Sequence, residues 1–101
     1  MRKRRKGFER AIARERMELL FNLAVENAIK GRMSRAHRYA WLIRKIGMRY
    51  NVRLPWYMRR RICRSCNRFM MPGKNSRVRF HDGRVVITCL HCGRVYRIPH
   101  R

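Results

Sequence analysis

Acidic residues are the scarcest chemistry in this sequence. Five Asp and Glu stand against 28 Lys and Arg, giving a formal net charge of +23 and a pI near 11.8. Glu9, Glu15, Glu18 and Glu26 fall in the first thirty residues, and Asp82 is the only acid after them. A two-metal nuclease needs clustered carboxylates to hold its ions. Asp82 belongs to a turn, the early glutamates stand at spacings that suit surface ion pairs, and His37, His81, His91 and His100 are scattered. The chain alone is therefore expected to be non-catalytic. Also missing is any apolar run long enough to span a bilayer. The basic start runs into a mixed Glu/Arg segment rather than the apolar block of a signal peptide. Together these absences predict a cytoplasmic chain with no membrane partner, in a compartment that keeps thiols reduced. There is no internal repeat or low-complexity segment, and 101 residues make one small domain or two modules too small for full independence.

What is present in excess is arginine, which outnumbers lysine by 23 to 5. Guanidinium offers a planar fork for phosphate oxygens and stacks on bases, so the bias favours nucleic acid over a generic polyanion. A membrane surface would call for an amphipathic helix with a basic face or a lipid anchor, and neither is clear. An inert structural domain fits poorly, because so high a charge destabilises the compact state unless a polyanion offsets it.

All four cysteines sit in two knuckles, Cys63-Arg64-Ser65-Cys66-Asn67 and Cys89-Leu90-His91-Cys92-Gly93, with 22 residues between the pairs. Two thiolates three positions apart on a tight turn grip one metal from the same side, and two such turns complete a tetrahedron. Asn67 and Gly93 follow the second cysteines and tolerate the left-handed backbone that turns N–H groups toward sulfur. One structural Zn2+ on Cys63, Cys66, Cys89 and Cys92 is the expectation. Spacing alone is compatible with a rubredoxin-type iron site, whereas ligand type and pairing favour zinc. Disulfides would need an oxidising compartment, and a redox C-x-x-C usually comes singly in a strand–helix unit. With the tetrahedron filled, His91 is expected to be an exposed knuckle side chain that can reach a phosphate or base.

The chain divides into a basic arm (1–7), a two-helix module (8–50), a linker (51–62) and a ribbon (63–101). Residues 2–6 carry only Arg and Lys and read as a mobile electrostatic tether. From Phe8 to Lys30, Ile12, Leu19, Leu20, Leu23, Ala24 and Ala28 recur at helical steps, and Gly31 is a plausible stop. Ser34 predicts the N-cap of a second helix that runs to about Gly47, with Ala36, Tyr39, Ala40, Ile43 and Ile46 on its apolar side. A short connection makes the pair antiparallel. Tyr39, Trp41, Leu42 and Met48 exceed what one seam buries, so the zinc module and a partner protein are each expected to cover part of that surface, with Tyr39, Trp41, Leu42 and Ile46 as the candidate partner interface. Pro55 starts a short turn through Trp56-Tyr57-Met58. In the ribbon, Phe69-Met70-Met71 reads as a short strand followed by the Pro72-Gly73 turn. Asp82-Gly83 is a primed hairpin turn that pairs Phe80 with Val85 and Val78 with Ile87 on one buried face. Arg79 opposite Val86 and Arg77 opposite Thr88 take the other face, and residues 94–98 supply a further strand ended by Pro99. The predicted fold class is small α+β, an N-terminal antiparallel two-helix module followed by a three-stranded antiparallel zinc ribbon.

The candidate nucleic-acid contacts are Arg77 and Arg79 on the hairpin, Arg64 in the first knuckle, Arg97 on the last strand, the run Arg59, Arg60 and Arg61, and then the N-terminal arm. These residues do not decide between RNA and DNA. Three larger segments then resemble the archaeal ribonuclease P component 4 family. They are Ala36-His37-Arg38-Tyr39-Ala40 through Ile46, Arg53-Leu54-Pro55 with Cys63-x-x-Cys66, and Pro72-Gly73…Arg77-Val78-Arg79 followed by Val85 to Gly93. The likeness runs from the first helix to Pro99 in matching order. It implies a zinc-binding subunit of a ribonucleoprotein endonuclease that removes the 5′ leader of precursor tRNA, with catalysis belonging to the RNA. It further implies partnership with the ribonuclease P RNA, precursor tRNA, the small barrel protein called component 1 (through the helices) and other protein subunits. The tip His81-Asp82-Gly83-Arg84 is shorter than in many relatives, so no contact is carried onto His81. A ribosomal zinc-ribbon protein would explain the charge but not the aromatic two-helix module. A transcription-type ribbon is the third alternative.

Overall fold

A computed structural model of the protein describes residues 2–99, with side chains from Gly7 onward. Three helices come first, α1 (Arg2–Ile29), α2 (Met33–Tyr50) and the single-turn α3 (Trp56–Arg59). The strands β1 (Ser76–His81), β2 (Arg84–Cys89) and β3 (Val95–Pro99) follow as one antiparallel sheet in the order β1-β2-β3. This is the expected two-helix module and three-stranded ribbon. The backbone of the basic stretch 2–6 is continuous with α1. Its side chains, on which the tether expectation rests, lie outside the described residues, as does His100.

α1 and α2 pack along small residues. Ala13, Met17, Ala24 and Ala28 face Ala36, Ala40 and Ile43, all buried, with Leu20, Phe21 and Val25 packed against them. Gly47 completes the seam, because a Cβ there would stand 3.0 Å from the Val52 carbonyl. This stripe differs from the expected one. Leu19 and Leu23, placed in the core by spacing, are 60% and 40% exposed, and Met17 is buried instead. Alanines on both helices let the backbones approach closely, which rotates the bulkier leucines outward.

Gly31 takes φ 81° and ends α1. The next helix does not use Ser34 as its cap. Arg32 is the N-cap, without a side-chain cap bond, and its carbonyl accepts from Ala36 N–H at 3.2 Å. The tight turn brings Arg32 N–H onto the Asn27 carbonyl (2.7 Å), so helix geometry resumes two residues before Ser34 can cap it. At the far end α2 passes Gly47 and stops at Asn51, which is left-handed (φ 55°).

Phe69-Met70-Met71 is not a strand. A single bridge joins Ile62 to Phe69, and the other backbone groups are met elsewhere. Phe69 N–H donates to His37 Nδ1 (3.0 Å), and Asn75 Nδ2 donates to the Phe69 carbonyl (2.7 Å). Met71 N–H donates to Asn75 Oδ1 (2.7 Å), and Met70 N–H donates to the Arg61 carbonyl. Side chains thus take the place of a ladder partner. The result ties the ribbon to the helices, because Phe69 and Ile62 are fully buried in the helical core beside Met58. Phe21 contacts both the Phe69 ring (6.0 Å between centroids) and the Tyr57 ring (5.5 Å). Lys74 Nζ donates to the Ala28 carbonyl at the end of α1 (2.8 Å), a favourable place for a cation.

The hairpin register is as predicted, with Phe80 opposite Val85, Val78 opposite Ile87 and a turn in which Asp82 and Gly83 both have positive φ. Its burial is not. Ile87 on the central strand is buried, but Val78 is 41% and Phe80 73% exposed. β1 is an edge strand, and its outer end extends past the small cluster of Cys63, Met70, Ile87 and Cys89 that forms the ribbon core.

Candidate metal centre

The two knuckles adopt one backbone design. Cys63 N–H donates to the Arg68 carbonyl (3.0 Å) and Cys89 N–H to the Arg94 carbonyl (2.9 Å). Asn67 N–H returns to the Cys63 carbonyl and Gly93 N–H to the Cys89 carbonyl, both at 2.8 Å. Asn67 (φ 60°) and Gly93 (φ 80°) supply the left-handed residue that this loop requires, as their position after the second cysteine predicts. β2 delivers Cys89 to the site, and the bridge between Ile62 and Phe69 frames Cys63.

The four Sγ atoms lie within 4.8 Å of one another. Cys63 Sγ stands 3.5 Å from Cys92 Sγ, and Cys66 Sγ 3.7 Å from Cys89 Sγ. A disulfide would need about 2.05 Å. A tetrahedron with metal–sulfur bonds of about 2.3 Å has edges of about 3.8 Å, so the spacing fits thiolates around one ion. The thiol chemistry agrees. Burial raises the Cys63 thiol, but hydrogen bonds from the Tyr96 hydroxyl, the Cys66 and Ser65 backbone and Cys92 outweigh it and bring its pKa to about 6. Burial together with neighbouring sulfurs pushes Cys66 up to about 12, and burial also raises Cys89. A metal binds thiolates, so an ion entering here would displace the protons of the raised Cys66 and Cys89 thiols.

Tyr96 is the functional residue that sequence reasoning missed. Its oxygen accepts the Arg64 N–H (3.0 Å), which leaves its own proton for Cys63 Sγ at 3.2 Å. β3 is thereby locked to the first knuckle, and the guanidinium groups of Arg64 and Arg94 flank the ring at 5.6 and 5.3 Å. His37 was missed in the same way. Burial lowers its pKa below the usual 6.5, helped by the charges of Arg68 and His91, which keeps Nδ1 an acceptor for Phe69 N–H. A lone Tyr in a strand and a lone His in a helix carried no spacing signal.

The predicted arginines fall on two surfaces. Cross-strand register puts Arg77, Arg79 and Arg97 on one sheet face, with Arg79, Val86 and Arg97 in line. Arg59, Arg60 and Arg64 line a cleft between α3 and β3, which Arg97 also borders. Arg94, absent from the prediction, joins them there. Arg61 turns away toward Met71 Sδ (3.8 Å). Of the predicted partner surface, Tyr39 and Ile46 pack against the helical core. Leu42 is half-buried, and Trp41 is 45% exposed with Lys45 Nζ 4.4 Å over its ring. His91 is exposed, as expected.

Residues 16–93 match the family model described as the RNAse P Rpr2/Rpp21/SNM1 subunit domain. The chain belongs to this ribonuclease P subunit family. Ribonuclease P protein component 4 of Methanococcoides burtonii is 44% identical over 100 residues, covering 99% of this chain and 92% of that protein. The component 4 protein of Methanocaldococcus jannaschii is 50% identical over 91 residues, covering 87% of this chain and 71% of that protein. Among solved structures, a chain in the cryo-EM structure of archaeal ribonuclease P with mature tRNA superposes with a TM-score of 0.80. It is 48% identical and covers 87% of this chain and 76% of its own length. The Pfu Rpp21 structure gives a TM-score of 0.58 at 35% identity, with coverage of 85% and 97%. The ribonuclease P subunit family thus shares the helices and ribbon seen here. No described helix of this member is long and apolar enough to cross a membrane.

Proposed function

We propose that the chain is an RNA-binding, zinc-containing, non-catalytic subunit of ribonuclease P that supports RNA-catalysed removal of the 5′ leader from precursor tRNA. The observation that carries this reading is the match, at 48% identity and a TM-score of 0.80, to a chain of an archaeal ribonuclease P solved with mature tRNA. The charge of +23 supplies the matching physical role, neutralisation of RNA phosphates as the RNA folds or holds its substrate. Cys63, Cys66, Cys89 and Cys92 hold Zn2+, which supplies no step of the reaction but closes the two knuckles into a rigid unit. Arg77, Arg79 and Arg97 meet RNA from one sheet face, and Arg59, Arg60 and Arg64 from the α3 side, whereas Arg61 is turned toward Met71.

The partners are the ribonuclease P RNA, precursor tRNA, protein component 1 and the other protein subunits, in the cytoplasm. Exposed Trp41 and half-buried Leu42, beside Tyr39 and Ile46, form the proposed docking surface for component 1. Copurification of the full chain, with sequencing of the bound RNA, tests the reading. It requires ribonuclease P RNA. Recovery of ribosomal RNA or RNA polymerase in its place would support the ribosomal or transcription-type alternative.

A further inference from the structure

The cleft between α3 and β3 has a chemistry that the metal centre does not use. It encloses about 430 Å³, within the range of ligand-binding clefts. Its floor is apolar, built from Met70, Ile87 and Ile98 with the Tyr96 ring. Trp56 stands at its mouth, 66% exposed, although an indole is among the most costly side chains to leave in water. Arg59, Arg60, Arg64, Arg94 and Arg97 line this slot, and no carboxylate does. Arg60 lies 4.9 Å over the Trp56 ring, while Arg64 and Arg94 stand against Tyr96. Aromatic planes interleaved with unneutralised arginines form a surface for a flat, apolar-faced group attached to an anion.

We propose that this cleft seats one unpaired nucleotide of an RNA strand, its base stacked against Trp56 over the apolar floor and its flanking phosphates on Arg59, Arg60, Arg64 and Arg94. The proposal rests on the reading of the chain as an RNA-binding subunit and assigns that binding a single-stranded component. Double-helical RNA does not suit the cleft, because paired bases keep their faces stacked within the helix and single-stranded recognition relies on splayed bases. A protein side chain is less favoured than RNA, because several like charges converge with no acid among them. The site also explains why the zinc knuckle and β3 are joined through Tyr96. That hydrogen bond holds Arg64 and Arg94, which come from different knuckles, on one rim.

The test is binding of the full-length, zinc-loaded chain to a labelled six-residue oligouridylate and to an abasic strand of the same length and charge. Loss of one stacked base costs about 1–3 kcal/mol, so binding should weaken roughly 5- to 150-fold for the abasic strand. Trp56→Ala should lose as much on the oligouridylate, with an unchanged salt slope, and Trp56→Phe should recover most of it. Arg94→Ala should instead flatten the salt slope by about 0.7. Equal affinity of the wild-type chain for the two strands overturns the proposal, and this comparison needs no variant to fold. So does a Trp56→Ala chain that keeps its fold by circular dichroism and releases a protein partner while holding the oligouridylate as before. Binding of wild-type chain to ribonuclease P RNA is measured in parallel. If it persists while the two strands bind alike, the nucleotide site fails and the broader reading stands.

Discussion

At the scale of single residues, Tyr96 joins the cysteine cluster to the first knuckle's backbone at Arg64. The Arg64 N–H can only donate, so the phenol oxygen accepts there and its hydrogen is left for Cys63 Sγ. Such a bond stabilises the thiolate and orients it, and loss of an outer hydrogen bond of this kind typically weakens metal binding about 10- to 100-fold. Tyr96→Phe should therefore release zinc to a competing chelator more readily by that factor, with the sheet intact by circular dichroism. His37 yields a pH prediction. Burial first, then the charges of Arg68 and His91, lower its folded pKa below 6.5. A depressed histidine contributes stability that is present above the unfolded value and is lost as pH falls toward the folded one. An NMR titration of the His37 ring should give a midpoint below 6.5, with denaturant resistance of the zinc-loaded protein falling as pH drops through that window. A midpoint above 6.5 would contradict the acceptor role. The cysteines were legible in the sequence because their chemistry lies in local spacing. Tyr96 and His37 were not, because each acts on a backbone or sulfur atom 32 or 33 residues away.

At the scale of elements, the loop before β1 decides how the halves are joined. Phe69 is fully buried in the helical core while its backbone is held by His37 and Asn75. Removing a buried aromatic side chain costs about 3–5 kcal/mol. Phe69→Ala should lower unfolding stability in urea by that amount, and a loss under 1 kcal/mol would mean that the ribbon and helices are energetically separate. The hairpin register was readable from Asp82-Gly83 and the period-two alternation, since both are local. The burial of its faces was not. Val78 and Phe80 have the pattern of a core face, but among the described residues β2 is the element packed closely on β1. Likewise the helical stripe of Leu19 and Leu23 matched the right period with the wrong phase, because close packing of Ala24 and Ala28 against α2 outweighed side-chain size.

At the scale of the whole molecule, the fold presents two cationic faces around the four-cysteine cluster. Arg77, Arg79 and Arg97 stand on the sheet, and Arg59, Arg60, Arg64 and Arg94 line the cleft, with Arg97 bordering both. The ribbon core is small, with Cys63 and Cys89 among its four buried members, so a metal bound there would replace hydrophobic core that the ribbon lacks. Chelation, or Cys63→Ser, should release the sheet while α1 and α2 keep most of their helical signal, because their own seam does not include the knuckles. Loss of all structure at once would show that the helices depend on the ribbon for stability. In the proposed function, this cationic chain lets the ribonuclease P RNA work with less counter-ion. The direct test is the Mg2+ dependence of precursor-tRNA 5′-leader cleavage by reconstituted ribonuclease P RNA, with and without this chain and component 1, its proposed partner. The account predicts that the Mg2+ midpoint falls when they are added. An unchanged midpoint, with both proteins bound to the RNA, would contradict it.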